Sequence, residues 1–280
     1  EGSLFRHLAT PLELRLVVDH LEENDAFALT CRDFRAATCL AGSATARFGG
    51  RCIHTSVSGS WASVARLRWA VDLGYKINSR DFARAAGMGK LDVLQWARAH
   101  GCEWNAHTCT EAARGGHLEV LQWVRANGCE WLGAVTCCLA AKGGYLAVLQ
   151  WARANGCGWN TYTCSNAARR GHLEVLQWAR ANGCEWNTET CAAAAEGGHL
   201  EVLQWARANG CDWDRYTCAR AAQAGHLAVL QWARENGCEW RPETCSWAAQ
   251  GGRLEVLQWA RANECPWNVR TCYEAAGAGH

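Results

Sequence analysis

Apolar side chains along the second half of the chain fall into short runs broken at regular places. Residues 187–213 show the pattern. Thr190-Cys-Ala-Ala-Ala-Ala-Glu is followed by Gly197-Gly198, and His199-Leu-Glu-Val-Leu-Gln-Trp-Ala-Arg-Ala-Asn then runs to Gly210. Period-two alternation is absent and Ala, Leu, Gln, Glu and Arg dominate, so both runs are predicted as short helices rather than strands. A Thr stands at one place in every regular copy of the first run (Thr108, Thr136, Thr163, Thr190, Thr217, Thr244, Thr271). Its hydroxyl is expected to cap the first turn, with Glu111 and Glu274 completing capping boxes for Thr108 and Thr271. Asn-Gly closes the second run at 127–128, 155–156, 182–183, 209–210 and 236–237, as a left-handed C-terminal cap requires.

The pattern is periodic. Leu-Gln-Trp recurs with its Trp at 96, 123, 151, 178, 205, 232 and 259, and Trp69 extends the register one step further. The steps are 27 residues, except for one of 28 between Trp123 and Trp151. About eight repeats therefore span 61–280. In the second helix Leu200, Val202, Leu203, Trp205 and Ala206 occupy more than one stripe, so each helix pair is apolar toward its neighbours as well as toward its own partner. One such hairpin cannot bury enough surface to hold itself together. The repeats must stack as a solenoid.

Composition supports a folded chain: 49% of residues are apolar, 20% charged and only 3 are proline. No apolar run reaches the roughly 18 residues a spanning helix needs. Basic and acidic side chains nearly cancel at +1, so nucleic acid is not expected as a partner. Glu at position 1 and a single Met point to a processed or partial N-terminus, which keeps an organellar location open beside a cytoplasmic or nuclear one.

The repeat resembles the ankyrin repeat. Gly198-His199-Leu200-Glu201-Val202-Leu203 through Asn209-Gly210-Cys211-Asp212-Trp213-Asp214 follows that pattern without gaps, with Cys211 and Trp213 where the family has Ala and Val. Thr190 with Ala194-Ala195 matches part of its Thr-Pro-Leu-His-x-Ala-Ala signature. The repeat is six residues short, mostly between Asn187 and Thr190, where the family's β-hairpin finger would stand. The resemblance implies an all-α chain: an α-solenoid of stacked ankyrin-like helix pairs with shortened or absent fingers.

Residues 1–40 do not carry the repeat, and 41–60, rich in Gly, Ser and Ala, read as a connection. Thr10-Pro11-Leu-Glu-Leu14 opens a helix with Pro in its first turn. Val17, Val18 and Leu21 follow at helical spacing, and a second apolar segment contains Phe34. The segment resembles a degenerate F-box, which implies docking on a cullin-ligase adaptor through Pro11, Leu14, Val18, Leu21 and Phe34. An N-terminal cap for the solenoid is the plainer alternative.

The chain has 18 cysteines, and in the repeats they come as one pair per unit with a six-residue gap, such as Cys184 and Cys191, except at the insertion, where Cys129 and Cys137 stand further apart with Cys138 adjacent. His199 lies some 10 Å from Cys191 across a hairpin, by helical rise, so a metal site is not expected. Packed helices stand about 8–10 Å apart, so a disulfide is open only within one pair; buried reduced thiols are expected instead. Repetition likewise assigns both tryptophan ladders to the core. His117, His172, His199 and His226, replaced by Tyr145 and Arg253, are expected to tie neighbouring loops. Arg98 to Arg261 form a ladder on second helices, a solvated back surface compensated by Glu119, Glu174, Glu201 and Glu255. No phosphate loop, nucleophile elbow or paired carboxylate stands apart from the repeat, so neither enzyme activity nor a cofactor is expected.

Positions that differ between repeats cluster on the first helix and the loop before it. In ankyrin-like arrays this row lines the concave side. A protein partner is expected there, held by Tyr162, Tyr216, Trp247 and Tyr273 as aromatic anchors, by Arg114, Lys142, Arg169 and Arg220 as charges, and by Asn166. Neutral drift at solvated positions is the competing explanation. The function expected is a non-catalytic interaction scaffold, in one version the substrate arm of a ubiquitin ligase; a permanent structural subunit of a larger assembly is the alternative.

Overall fold

The computed structural model describes residues 44–48, 51–55, 63–72 and 76–280. Two compact units divide the chain, Glu1–Thr108 and Cys109–His280. Pro11, Leu14, Val18, Leu21 and Phe34 lie outside the described residues.

In the first unit the stretch read as a connection contains an antiparallel pair, β1 (Ala44–Phe48) and β2 (Arg51–Thr55), with Ala44 opposite Thr55 and Phe48 opposite Arg51. Gly49-Gly50 between them in sequence is a two-residue hairpin signal that the compositional reading passed over. Three helices follow: α1 (Val64–Asp72), α2 (Ser79–Gly87) and α3 (Leu91–Ala99). Asn78 starts α2 with a full capping box. Its Oδ1 accepts from the N–H groups of Arg80 (3.0 Å) and Asp81 (3.1 Å), while the Asp81 carboxylate accepts from Asn78 N–H at 3.3 Å. Leu67, Phe82, Val93, Leu94 and Ala97 are fully buried here.

Helix pairs fill the second unit. α4 (Ala106–Gly115), which contains the boundary, is followed by α5 (Leu118–Ala126). After these come α6 (Val135–Gly143) with α7 (Leu146–Ala154), α8 (Thr161–Arg169) with α9 (Leu173–Ala181), and α10 (Thr188–Gly197) with α11 (Leu200–Ala208). α12 (Arg215–Ala224) with α13 (Leu227–Glu235), α14 (Pro242–Gln250) with α15 (Leu254–Ala262), and α16 (Val269–Gly277) complete it. An extended segment links each pair to the next; among the described residues of these links no strand forms. The second unit is thus an α-solenoid of ankyrin-like helix pairs, and among its residues no β-hairpin finger forms.

Capping differs from the sequence expectation by three residues. The first helices are capped by the residue after the tryptophan. Asn160, Asn187 and Asp214 accept from the N–H groups of Tyr162 (3.0 Å), Glu189 (3.2 Å) and Tyr216 (3.0 Å). The threonine stands at the third helical position, fully buried, and Thr163 and Thr217 reach back to the backbone N–H of the cap at 3.5 and 3.4 Å. The expected capping boxes of Thr108 and Thr271 do not form. Both hydroxyls are buried without a hydrogen bond, Glu111 pairs with Arg114 at 3.4 Å, and Glu274 pairs with Arg270 at 3.1 Å.

At the other end the expectation holds. Gly210 is left-handed at φ 82°, and the Asn209 amide donates to the Trp205 carbonyl at 2.8 Å. Glu264 occupies the same left-handed position at φ 64°, where a side chain costs about 1 kcal/mol. Glu264→Gly is therefore expected to stabilise the second unit by about 1 kcal/mol, read as a higher urea midpoint with an unchanged slope.

Small and medium side chains make the core. Leu121, Leu149, Leu176, Leu203 and Leu230, with the Ala-Ala pairs from Ala112-Ala113 to Ala221-Ala222 and most repeat cysteines, have no exposed area. The tryptophans do not: from Trp96 to Trp259 they are half-buried, a correction to the core placement. First helices, lined by Ala, Cys and Thr, pack closely on one another in succession (α6, α8, α10, α12, α14, α16), whereas second helices, bearing tryptophan, touch sparsely. Small residues permit the shorter spacing, so within this unit the first-helix row is the inner arc. Among the described residues no helix is long and apolar enough to cross a membrane.

Candidate partner-binding surface

Repeat geometry decides which variable side chains are free. Residues one repeat apart sit side by side along the first-helix row: Arg169 pairs with Glu196, and the Gln223 amide donates to Gln250 at 2.8 Å. A second relation is diagonal, from the second residue of one first helix to the sixth of the next. It brings Glu189 to Arg220 at 2.6 Å and stacks Tyr216 on Trp247, with ring centroids 5.9 Å apart and planes 24° from parallel.

These two relations sort the expected contacts. Arg169 and Arg220 are held by the carboxylates of Glu189 and Glu196; Arg169 meets Glu189 at 3.1 Å and Arg220 meets Glu196 at 3.4 Å. Burial lowers the Arg220 pKa, but its hydrogen bond to Glu189 and the two carboxylate charges outweigh that and raise it. Both arginines are therefore neutralised within the protein. Arg114 is exposed and pairs only locally, with Glu111 at 3.4 Å; Lys142 is exposed and makes no ion pair among the described residues.

Among the aromatic anchors, Tyr162 has Ala193 on its diagonal and is 63% exposed, with Asn166 half-buried one turn further on. Tyr216, partly exposed, stacks on the half-buried Trp247, with the Arg215 guanidinium 4.9 Å from the centre of the Tyr216 ring. Tyr273 is separate from these. It shares its register with Thr110, Ser165, Ala192, Ala219 and Ser246, all buried between first helices, yet is itself 75% exposed. The glutamates that neutralise the arginines were the missed part of this surface. Their signal is in the sequence, as opposite charges 27 residues apart at 169 and 196 and 31 apart at 189 and 220.

The expected loop ties are present. His172 Nε2 lies 3.2 Å from the Lys142 carbonyl and His226 Nε2 lies 3.1 Å from the Glu196 carbonyl; where Arg253 replaces His, its Nε donates to the Gln223 carbonyl at 3.1 Å. Burial keeps His199 below the ordinary histidine range.

The arginine ladder has partners other than the expected glutamates. Arg207 donates to the Cys211 carbonyl at 2.8 Å, closing the helix C-terminus, while its guanidinium lies 4.3 Å from the centre of Trp213. Trp213 in turn meets Trp232 of the next repeat edge to face at 5.8 Å. Sheets of Arg, Trp and Trp repeat this way along the second helices, so these side chains serve the scaffold. Arg207→Ala is expected to cost about 2 kcal/mol through the lost charged hydrogen bond and ring contact, and Arg207→Lys nearly as much, checked by urea denaturation.

The cysteines of the repeats are free thiols, and among the described residues no three of His, Cys, Asp and Glu converge on a possible metal position. Their pairing corrects the sequence reading. Cys191 approaches Cys211, twenty residues on at the far end of the same repeat, rather than Cys184 across the loop, and its thiol donates to the Cys211 carbonyl at 3.7 Å.

No family model matches the chain, and no curated protein does. Among solved structures, the ankyrin repeat domain of human ASB11 is similar at 18% identity and a TM-score of 0.46, over 56% of this chain and 84% of that one.

Proposed function

We propose that the chain is a non-catalytic scaffold that binds a protein partner along its first-helix row. One observation carries the reading. Framework positions shared by every repeat, the Thr, the Cys and the Ala-Ala pair, are buried from α6 to α14, whereas Tyr162, Tyr216 and Trp247 vary between repeats and keep part of their rings accessible. Paired aromatics on a preformed surface are efficient anchors because little side-chain freedom remains to be lost on binding. Arg169 and Arg220 position the helices rather than meeting the partner; Arg114, Lys142 and Arg215 are exposed positive charges beside the aromatic anchors.

The test is a triple substitution, Tyr162→Ala, Tyr216→Ala and Trp247→Ala. A protein captured by the wild-type chain and bound directly when purified is expected to lose affinity at least about a hundredfold, with the urea midpoint of the scaffold little changed. Undiminished binding would overturn the assignment of this row.

The finer reading makes the row a substrate arm of a cullin-type ligase, with residues 1–40 as the docking segment. It rests on the F-box resemblance of Pro11, Leu14, Val18, Leu21 and Phe34. Leu14→Asp is expected to abolish capture of a cullin adaptor while leaving partner binding intact. A permanent structural role predicts instead a fixed stoichiometric particle in native mass measurement.

A further inference from the structure

Two cysteines per repeat recur with the same surroundings, and neither partner binding nor any ion uses them. In the repeat of α10 and α11, Cys191 lies in the first turn of the first helix and Cys211 lies in the extended segment after the second; neither has exposed area. The Cys191 sulfur is 3.7 Å from the Cys211 carbonyl oxygen, and the Cys211 sulfur is 3.4 Å from the Asn187 carbonyl oxygen. The Cys191 thiol thus lies against the backbone of Cys211, and the Cys211 thiol lies against the residue that caps the helix bearing Cys191. The neighbouring repeats place Cys164 against Cys184 and Cys218 against Cys238 in the same way.

We propose that these pairs are dithiol modification sites, each oxidisable to a disulfide that joins the start of the first helix to the end of the same repeat. Such a bond closes each helix hairpin covalently and leaves successive repeats unlinked. The surroundings suit the chemistry. The Cys191 hydrogen bond holds Cys211 below the ordinary thiol range, and the nearby Arg207 guanidinium adds to this, so one sulfur of the pair is the readier nucleophile while the other resolves. With an azodicarboxamide as two-electron oxidant, the Cys211 thiolate adds to one nitrogen of the N=N bond and the other nitrogen takes a proton. The Cys191 sulfur, losing its proton, then attacks the Cys211 sulfur. The S–N bond breaks as the S–S bond forms, and the hydrazine product leaves with both hydrogens. Access comes through transient opening of the segment around Gly210, one of the few parts of the repeat outside a helix.

The experiment treats the folded full chain with diamide, blocks remaining thiols by alkylation and maps non-reduced peptides by mass spectrometry. Expected are the links Cys164–Cys184, Cys191–Cys211 and Cys218–Cys238, each with the loss of two hydrogens. Cys102 provides an internal control. Phe82 stands twenty residues before it, where the other repeats have Cys, so Cys102 is expected among the alkylated residues. Cys211→Ser is expected to remove its own link alone and leave Cys191 alkylated. Links across the short loop such as Cys184–Cys191, links only between molecules, or full thiol recovery after treatment would each overturn the proposal; mapping of the unsubstituted chain decides it even if the serine variant does not fold.

Discussion

Leu203→Ala is expected to lower the stability of the second unit by about 3 kcal/mol, because it removes three buried carbon atoms from a site that cannot close over the gap. Leu203 has no exposed area, and its counterparts Leu121, Leu149, Leu176 and Leu230 are equally enclosed. In a stacked array each repeat is held by its own helix pair and by its two neighbours, so a cavity here weakens both junctions. Urea denaturation followed by helical ellipticity should show an earlier midpoint and a shallower slope as the two flanking blocks unfold separately. Leu257, at the same register but only half-buried, provides the comparison. Leu257→Ala is expected to cost about 1 kcal/mol, with the slope unchanged. Equal costs at both positions would mean that burial within the stack does not set the stability.

Much of this architecture was legible in the residues because a solenoid is a local fold. Helix breaks at Gly197-Gly198 and Asn209-Gly210, the register of Leu203 and the tie from His226 all follow from one repeat laid beside the next. What sequence periodicity leaves open is direction. A helix position repeated in every copy is equally compatible with the core and with a continuous surface ridge, and Trp205 and Trp232 stand half-buried, edge to face with Trp186 and Trp213. The same limit applied to Cys191. Adjacency in sequence favoured Cys184, whereas the hairpin brings the far end of the repeat, with Cys211, back to the start of the first helix. Thr190 suits a cap by residue type, but Asn187 suits it as well and stands where the first turn begins.

The candidate surface was half legible for a related reason. Listing variable positions finds Tyr216, Trp247, Arg169 and Arg220 alike, and only the diagonal contact shows that the first two stack while the last two are neutralised by Glu189 and Glu196. Charge counted from sequence therefore overstated how basic the row is. Its inner arc offers aromatic faces and amides beside exposed positive charge at Arg114, Lys142 and Arg215.

Gly198→Ala is expected to cost about 2–3 kcal/mol, more than a glycine replacement at a helix end ordinarily does. Gly198 ends α10 at φ 77°, and an alanine Cβ there would lie 2.6 Å from the Cε1 and Nδ1 atoms of His226. Relief requires the imidazole to move, which gives up its contact at 3.1 Å with the Glu196 carbonyl and so loosens the junction between two repeats. Gly183 separates the two effects. It is left-handed at φ 83°, but nothing lies within 4 Å of where its Cβ would stand, so Gly183→Ala should cost only the backbone share of about 1 kcal/mol. In a background of His226→Ala, where the ring is gone, Gly198→Ala should fall to that same smaller cost. If the two glycine substitutions prove equal with His226 present, the imidazole is not holding the repeats together, and the junction strength must come from Leu203 and the alanine rows alone.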